Sequence, residues 1–302
     1  KYGADTARFF ILGTANPEKG LEWSDEGVDS VAKSVRKIFM LLTTKPDKFK
    51  DKEDVFDDLM GFHLNSTLEL VTELYSSIRL RDGINAITNL LDQFKEYIEN
   101  GAREDIFNEC VKKITLMLAP AIPHLCEEVW KLLGNKGYIS LENWPEVDQA
   151  ALRDDLRIMW QFYSNIKDDI LSILKIMKRE PGDKITLITA AGWKFKVFPT
   201  ILQMLKDGDN SGQVIKHLMK DENNRKLGKL IPALVNKAAK DPWAFDILNK
   251  FDSQEDEFTA IRSTETILSK KFNVEIEVIK EEDSTEKKAV QALPGRPAII
   301  IE

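Results

Sequence analysis

Two cysteines and three histidines are all that this 302-residue chain holds of the side chains that most often bind metals or cross-link a fold. Cys110 and Cys126 have neither a CxxC partner nor a neighbouring histidine, which excludes metal-ligand spacing and a disulfide framework and leaves two reduced, partly buried thiols. His63, His124 and His217 are far apart in sequence, and His63 lies on an apolar stripe, as a core histidine would. No apolar run approaches the roughly 18 to 20 residues that a membrane span needs. No basic and apolar leader opens the chain, so a cytosolic protein without a membrane partner is expected. GxGxxG, P-loop, HExxH and GxSxG motifs are all missing. Glu127 and Glu128 are adjacent and project to different sides of a helix, which excludes acid–base work between them. Excess positive charge is missing as well: 43 basic against 50 acidic residues excludes a generally basic, DNA-binding protein, and any RNA surface has to be a local patch.

What is present is dominated by helical periodicity. The stretch LMLAPAIPHLCEEVW, residues 116 to 130, is a built corner: Pro120 and Pro123 lack a backbone donor, so one helix is expected to stop near Ala119 and the next to start at Pro123. That second helix puts Leu125, Val129, Leu132 and Leu133 on one face and meets Gly134 as a C-terminal cap. Ser24 is placed to cap a helix carrying Val28, Val31, Val35, Ile38, Phe39 and Leu42. The clearest stripe runs from Phe56 through Leu59, Met60, Leu64, Leu68, Val71 and Leu74 to Ile78; Asp82 is expected to cap the helix after it. A further long stripe runs from Leu156 to Met177 and ends at Pro181-Gly182.

After Gly182 the texture changes. KITLIT (184–189) and VEIEVIK (274–280) alternate as strands do, and AIIIE at the end is a third candidate. Helices are expected over 195–205, 213–219, 223–240 and roughly 255–271, and residues 281–293 read as a flexible linker. The fold class is therefore mainly α: a helical bundle over residues 25–180, preceded by a connecting segment (1–24) and followed by a small α+β domain (181–302). Lys1-Tyr2-Gly3 begins without a methionine and reads as the start of a fragment.

LAPAIPHLCEEVWKLLG followed by Trp144-Pro145 resembles the anticodon-binding helical domain of class I aminoacyl-tRNA synthetases for leucine, isoleucine, valine and methionine. YGADTAR (2–8) and LEWSD (21–25) are similar to the segment that follows the KMSKS loop in leucine-specific members. EKGLEWSDEG is close to the bacterial wording. NNRKLGKLIPALVNKAAKDP and the terminal ALPGRPAIIIE resemble the C-terminal domain of archaeal and eukaryotic-type leucyl-tRNA synthetases. The resemblance covers the whole chain and implies the tRNA-binding C-terminal part of a leucine–tRNA ligase. Neither a HIGH-type nor a KMSKS-type element occurs here, so the fragment alone is expected to be inactive and to need no cofactor. The longer enzyme would use ATP and Mg2+, and its catalytic and editing domains would be partners in the same chain. An isoleucine- or valine-specific relative, or a helical protein-interaction scaffold, are the alternatives.

Leucine tRNA is the partner that the resemblance implies, with the bundle along the anticodon stem and the last domain on the long variable arm. On the bundle, Arg79 and Arg81 could reach an RNA backbone or simply solvate a turn. The densest basic run contains Lys216, Lys220, Arg225, Lys226, Lys229, Lys237 and Lys240, with Lys194 and Lys196 beside Trp193 upstream. From it Lys194, Lys196, Arg225, Lys226 and Lys229 are candidate phosphate contacts, the alternative being a solvated helix face. In the tail, Arg296 is a candidate contact on the variable-arm side, and Ile299 and the carboxylates of Glu302 are candidates for contacting bases, the alternative being a strand that only completes a sheet.

Overall fold

Residues 2–14, 20–240 and 253–302 are described by the computed structural model, and they form two units, Lys1–Arg157 and Ile158–Glu302. Lys1, Glu18, Lys19, Asp241 and Pro242, which belong to the stretches quoted above, lie outside the described residues.

In the first unit six α-helices are described: α1 (Ala4–Thr14), α2 (Asp25–Thr43), α3 (Val55–Ser76), α4 (Leu80–Glu99), α5 (Glu104–Leu118) and α6 (Pro123–Leu132). Ser24 caps α2 as expected, its hydroxyl accepting the Gly27 N–H at 3.1 Å. Asp54 and Asp57 make a reciprocal capping box at the start of α3. The stripe on α3 buries Phe56, Leu59, Met60, His63, Leu64, Leu68, Val71 and Leu74, but Ile78 is 69% exposed. It sits beyond the helix at φ 59°, a left-handed geometry that ends α3. The next helix begins earlier than expected: α4 starts at Leu80, so Asp82 lies in its first turn and binds Arg79 instead of capping. Around α3, α4 and α5 the core closes on Ile87, Leu90, Phe94, Phe107, Ile114 and Met117.

The double-proline corner forms as the missing donors require, with α5 ending at Leu118 and α6 starting at Pro123. Gly134 has φ +81°, and its N–H and that of Asn135 return to the carbonyls of Lys131 and Trp130, a Schellman ending. The buried face of α6 is Cys126, Val129 and Trp130; Leu132, expected inside, is 59% exposed. The corner is clamped from α1. Asp5 accepts the Leu125 N–H at 2.6 Å and lies 2.8 Å from His124 Nδ1, so it caps a helix that has no cap of its own. Arg8 donates to the carbonyls of Pro120, at 2.8 Å, and Ala121, at 3.2 Å. Two stretches that carry the resemblance, 2–8 and 116–130, thus satisfy each other's orphan backbone groups.

The boundary between the two units falls inside α7 (Asp154–Met177). The second unit continues with β1 (Lys184–Thr189), α8 (Gly192–Lys206), α9 (Ser211–Leu218), α10 (Glu222–Lys226), α11 (Leu230–Ala238), α12 (Gln254–Arg262), α13 (Glu265–Phe272), β2 (Glu275–Lys280) and β3 (Ala298–Ile301). The strand order is β2-β1-β3, with β1 parallel to β2 (Ile185↔Ile276) and antiparallel to β3 (Ile185↔Ile301). Central β1 buries every residue from Ile185 to Thr189, as a strand covered on both faces does, while β2 keeps its alternation.

Three expectations for this unit are corrected. Residues 223–240 are two helices, because Gly228 at φ +53° takes the chain out of α10 before α11 restarts. Residues 255–271 are also two helices. At the break the Ser263 and Thr264 hydroxyls donate to Ala260 and Ile261 carbonyls, local bonds that compete with helix continuation. The stretch 281–293 is no free linker: Ala289, Ala292 and Leu293 are buried, and Leu293 joins the core made by α8, α9 and α11.

Candidate nucleic-acid interface

Within α8 the two candidate lysines take opposite directions, because positions two apart on a helix face away from each other. Lys196 is exposed, whereas Lys194 is 3% exposed. Its ammonium donates to Glu281 Oε2 at 2.7 Å and to the carbonyls of Val290, at 3.0 Å, and Ala292, at 2.7 Å. All three N–H donors are used, so Lys194 is a buried tie rather than a phosphate contact, and the sequence assignment is corrected.

Short α10 is fixed to the end of α9: Asp221 caps it, Asn224 Nδ2 donates to the Leu218 carbonyl at 3.0 Å, and Arg225 Nε donates to the Met219 carbonyl at 2.7 Å. The guanidinium of Arg225 stays exposed, and Lys226 and Lys229 are exposed beside it with no ion pair among the described residues. Lys216 lies in the last turn of α9 and Lys220 just after that helix, and the two remaining cations of the basic run lie at the end of α11. Lys237 is half-buried and donates to the Gln291 carbonyl; Lys240 follows one turn later and is exposed. Burial, and after it the charges of Lys194, Lys240 and Arg296, hold the Lys237 ammonium below its usual pKa, with Glu281 opposing.

Arg296 leaves a tight turn. Pro294 and Gly295 occupy its two central positions, Gly295 with φ +76°, and Leu293 and Arg296 exchange both backbone hydrogen bonds, at 2.9 and 2.8 Å. The Gly295 N–H is held by Glu257, a fully buried carboxylate. Burial pushes Glu257 up to about 7, opposed by the Gly295 and Ala190 N–H groups and the charge of Lys194. Arg296 is half-exposed and only loosely paired, 3.4 Å from Asp169. Ile299 is half-buried opposite Leu187 in β3. Glu302 is exposed at the strand end, where its N–H donates to the Lys184 carbonyl at 3.1 Å and Arg179 holds the Ile301 carbonyl at 2.7 Å. A Cβ on Gly182 would lie 1.8 Å from the Glu302 carbonyl oxygen, so only glycine fits that crossing.

In the first unit, Arg79 is tied to Asp82 at 2.6 Å and remains 60% exposed. Arg81 is half-buried, with Nε inside and without a hydrogen-bond partner. Sequence reasoning missed Glu257 and Glu281; they sit in the acidic runs QEDEF and EED, within stretches that read as a helix and as a linker, and no local signal marks them. Both cysteines are free and buried, with their thiols pushed up by that burial. Among the described residues no helix is long and apolar enough to cross a membrane, and no group of His, Cys, Asp or Glu could hold a metal ion.

Residues 60–189 match the family described as the anticodon-binding domain of tRNA ligase. Leucine–tRNA ligase of Methanocaldococcus jannaschii is 29% identical over 100% of this chain, and that of Pyrococcus abyssi 27% identical over 99%. From end to end, the chain matches the C-terminal part of leucyl-tRNA synthetases. It spans 31% of the length of these two relatives. Among solved structures, the ternary complex of Agrobacterium radiobacter K84 agnB2 LeuRS-tRNA-LeuAMS is 17% identical, with a TM-score of 0.46 over 63% of this chain and 22% of that one. The double-proline corner and the exposed or buried state of each candidate cation are features of a chain that is similar along its whole length to leucine–tRNA ligases.

Proposed function

We propose that this chain binds leucine tRNA on behalf of a longer leucine–tRNA ligase, holding the tRNA while other parts of the enzyme attach leucine with ATP and Mg2+ in the cytoplasm. The observation that carries the reading is the end-to-end similarity to leucine–tRNA ligases together with the anticodon-binding match over residues 60–189. The first unit then serves the anticodon stem, with Arg79 the freer of its two candidate arginines. The second unit serves the variable arm through Lys196, Arg225, Lys226, Lys229 and Arg296 along the backbone and Ile299 and Glu302 at the bases. Support comes from the placement of these groups: the cations are exposed, and the tail is fixed by β3 pairing and by Arg179, so Glu302 is presented from a rigid edge. A rigid presentation lowers the entropy lost on binding.

The test is electrophoretic binding of leucine tRNA and of a tRNA with a short variable arm at two salt concentrations. Leucine tRNA is expected to bind more tightly, and alanine at Lys226 or Lys229 to lower the salt slope by about 0.9 for each phosphate no longer neutralised. Glu302→Ala is expected to reduce discrimination between the two tRNAs without changing the slope. Absence of any salt-dependent complex overturns the reading.

A further inference from the structure

Among the cations of the second unit, three converge on one wall instead of spreading along a helix. The end of α11 packs against the 289–296 segment, since Leu234, Val235, Ala238 and Leu293 share a core. Lys237 reaches across it to the Gln291 carbonyl, and Lys240 lies one turn beyond, its N–H on the Lys237 carbonyl. The Pro294-Gly295 turn that follows, anchored by Glu257, displays Arg296. We propose that Lys237, Lys240 and Arg296 form a binding site for phosphate oxygens.

The charge balance favours an anion there. Lys194 and Lys237 together occupy three consecutive carbonyls, those of Val290, Gln291 and Ala292, so two ammonium groups converge on one short stretch of backbone. Of the nearby carboxylates, Glu281 is consumed by Lys194, Glu257 is buried against Gly295, and Asp169 touches Arg296 only at 3.4 Å. Neither Lys237 nor Lys240 has a carboxylate within ion-pair distance among the described residues. Like charges held together beside a partly desolvated amine repel each other, and that repulsion turns into attraction when a doubly or singly charged phosphate sits among them. Lys237 has spent one donor on Gln291 and keeps two, while the Arg296 guanidinium offers a planar fork. Burial is the first cause of the lowered pKa of Lys237, and the charges of Lys194, Lys240 and Arg296 lower it further.

Phosphate oxygens come either from an RNA backbone or from a free polyphosphate. An RNA backbone is the source that follows from the tRNA-binding reading, on which that part of the inference rests. Two measurements separate the sources in the 302-residue chain. In the first, leucine tRNA binding is followed against salt for wild type, Lys240→Ala and Arg296→Ala, with melting temperature as a folding control; both side chains are exposed enough for the fold to survive. Each substitution is expected to lower the slope by about 0.9. In the second, millimolar inorganic pyrophosphate is added while the Lys237 ammonium is titrated by NMR. Its midpoint is expected to rise in wild type and to rise less in Arg296→Ala.

Unchanged affinity and slope in both variants, with wild type binding tRNA, would overturn the RNA-backbone site and leave the tRNA reading standing. A pyrophosphate response without any tRNA complex would keep the anion site and remove the tRNA reading. Reduced slopes without a pyrophosphate response would assign the site to RNA backbone alone. Neither response would overturn the site outright.

Discussion

Each unit repairs a break in its backbone with charged side chains from elsewhere in the chain, but one repair is open to water at its rim and the other is sealed from it. At the double-proline corner of the first unit, Asp5 takes amides and Arg8 takes carbonyls, with the Asp5 side chain 12% exposed and His124 75% exposed at the rim. In the second unit Lys194 and Glu257 do the same for residues 290–292 and 295 while 3% and 0% exposed. Water can replace a missing partner at the rim of the first site and not at the second. The same clamp chemistry should therefore be worth little at the corner and a great deal at the C-terminal node. The units also differ in their buried titratable groups: the first hides His63, which burial pushes down to about 3, and the second hides Glu257, pushed up to about 7.

The largest expected effect is at Lys194. Lys194→Met keeps the volume but leaves Glu281 and two carbonyls without their donor, and breaking such a buried pair costs about 3 to 5 kcal/mol. Urea unfolding measures it, and a cost below about 1 kcal/mol would mean that water reaches the node.

Glu257 sharpens the comparison through pH. Its folded pKa is raised from 4.5 to about 7, so the folded state holds the proton more tightly than the unfolded one. The stabilisation is complete below the unfolded value and is lost as pH rises through the folded one, about 3 kcal/mol across that window. Glu257→Gln, which still accepts from Gly295, should flatten the fall in stability between about pH 5 and pH 8. An equal fall in variant and wild type would show that Glu257 stays ionised or solvated.

The first unit should respond in the opposite direction. His63 has a folded pKa lowered from 6.5 to about 3, so the unfolded state binds the proton first and stability falls as pH drops below 6.5. At about pH 5 the destabilisation attributable to it is about 2 kcal/mol. In His63→Leu that acid-side decline should shrink, as read from the urea midpoint at two pH values; a decline as steep as that of wild type would place its origin elsewhere.

The smallest effect belongs to the partly exposed clamp. Asp5→Ala removes a helix cap and should cost about 1 kcal/mol. His124→Ala, which gives up only a solvated interaction, should cost less than about 0.5 kcal/mol. A cost at Asp5 matching that at Lys194 would erase the distinction between the wet and the sealed repair.

Much of this architecture was legible in the residues. Pro120 and Pro123 set the corner, Gly134 the Schellman ending, Ser24 the cap of α2, and KITLIT, VEIEVIK and AIIIE the three strands. Each signal acts within a few residues: a missing N–H, a permitted positive φ, a hydroxyl beside free amides, a period of two. The candidate site was legible only as a charge run. Exposed Lys196, Arg225, Lys226 and Lys229 lie where a solvated run puts them.

What the sequence determined by itself was the helical bundle, the strand segments and the family wording. The tertiary structure alone decided that Lys194 turns inward, that 281–293 is ordered, and that Glu257 anchors the last turn. Lys194 meets Glu281 across 87 residues and the Ala292 carbonyl across 98, and Glu257 meets Gly295 across 38. The choice between solvent and a buried partner depends on which distant backbone groups packing brings within about 3 Å, and a lysine in a charge run looks the same in either case.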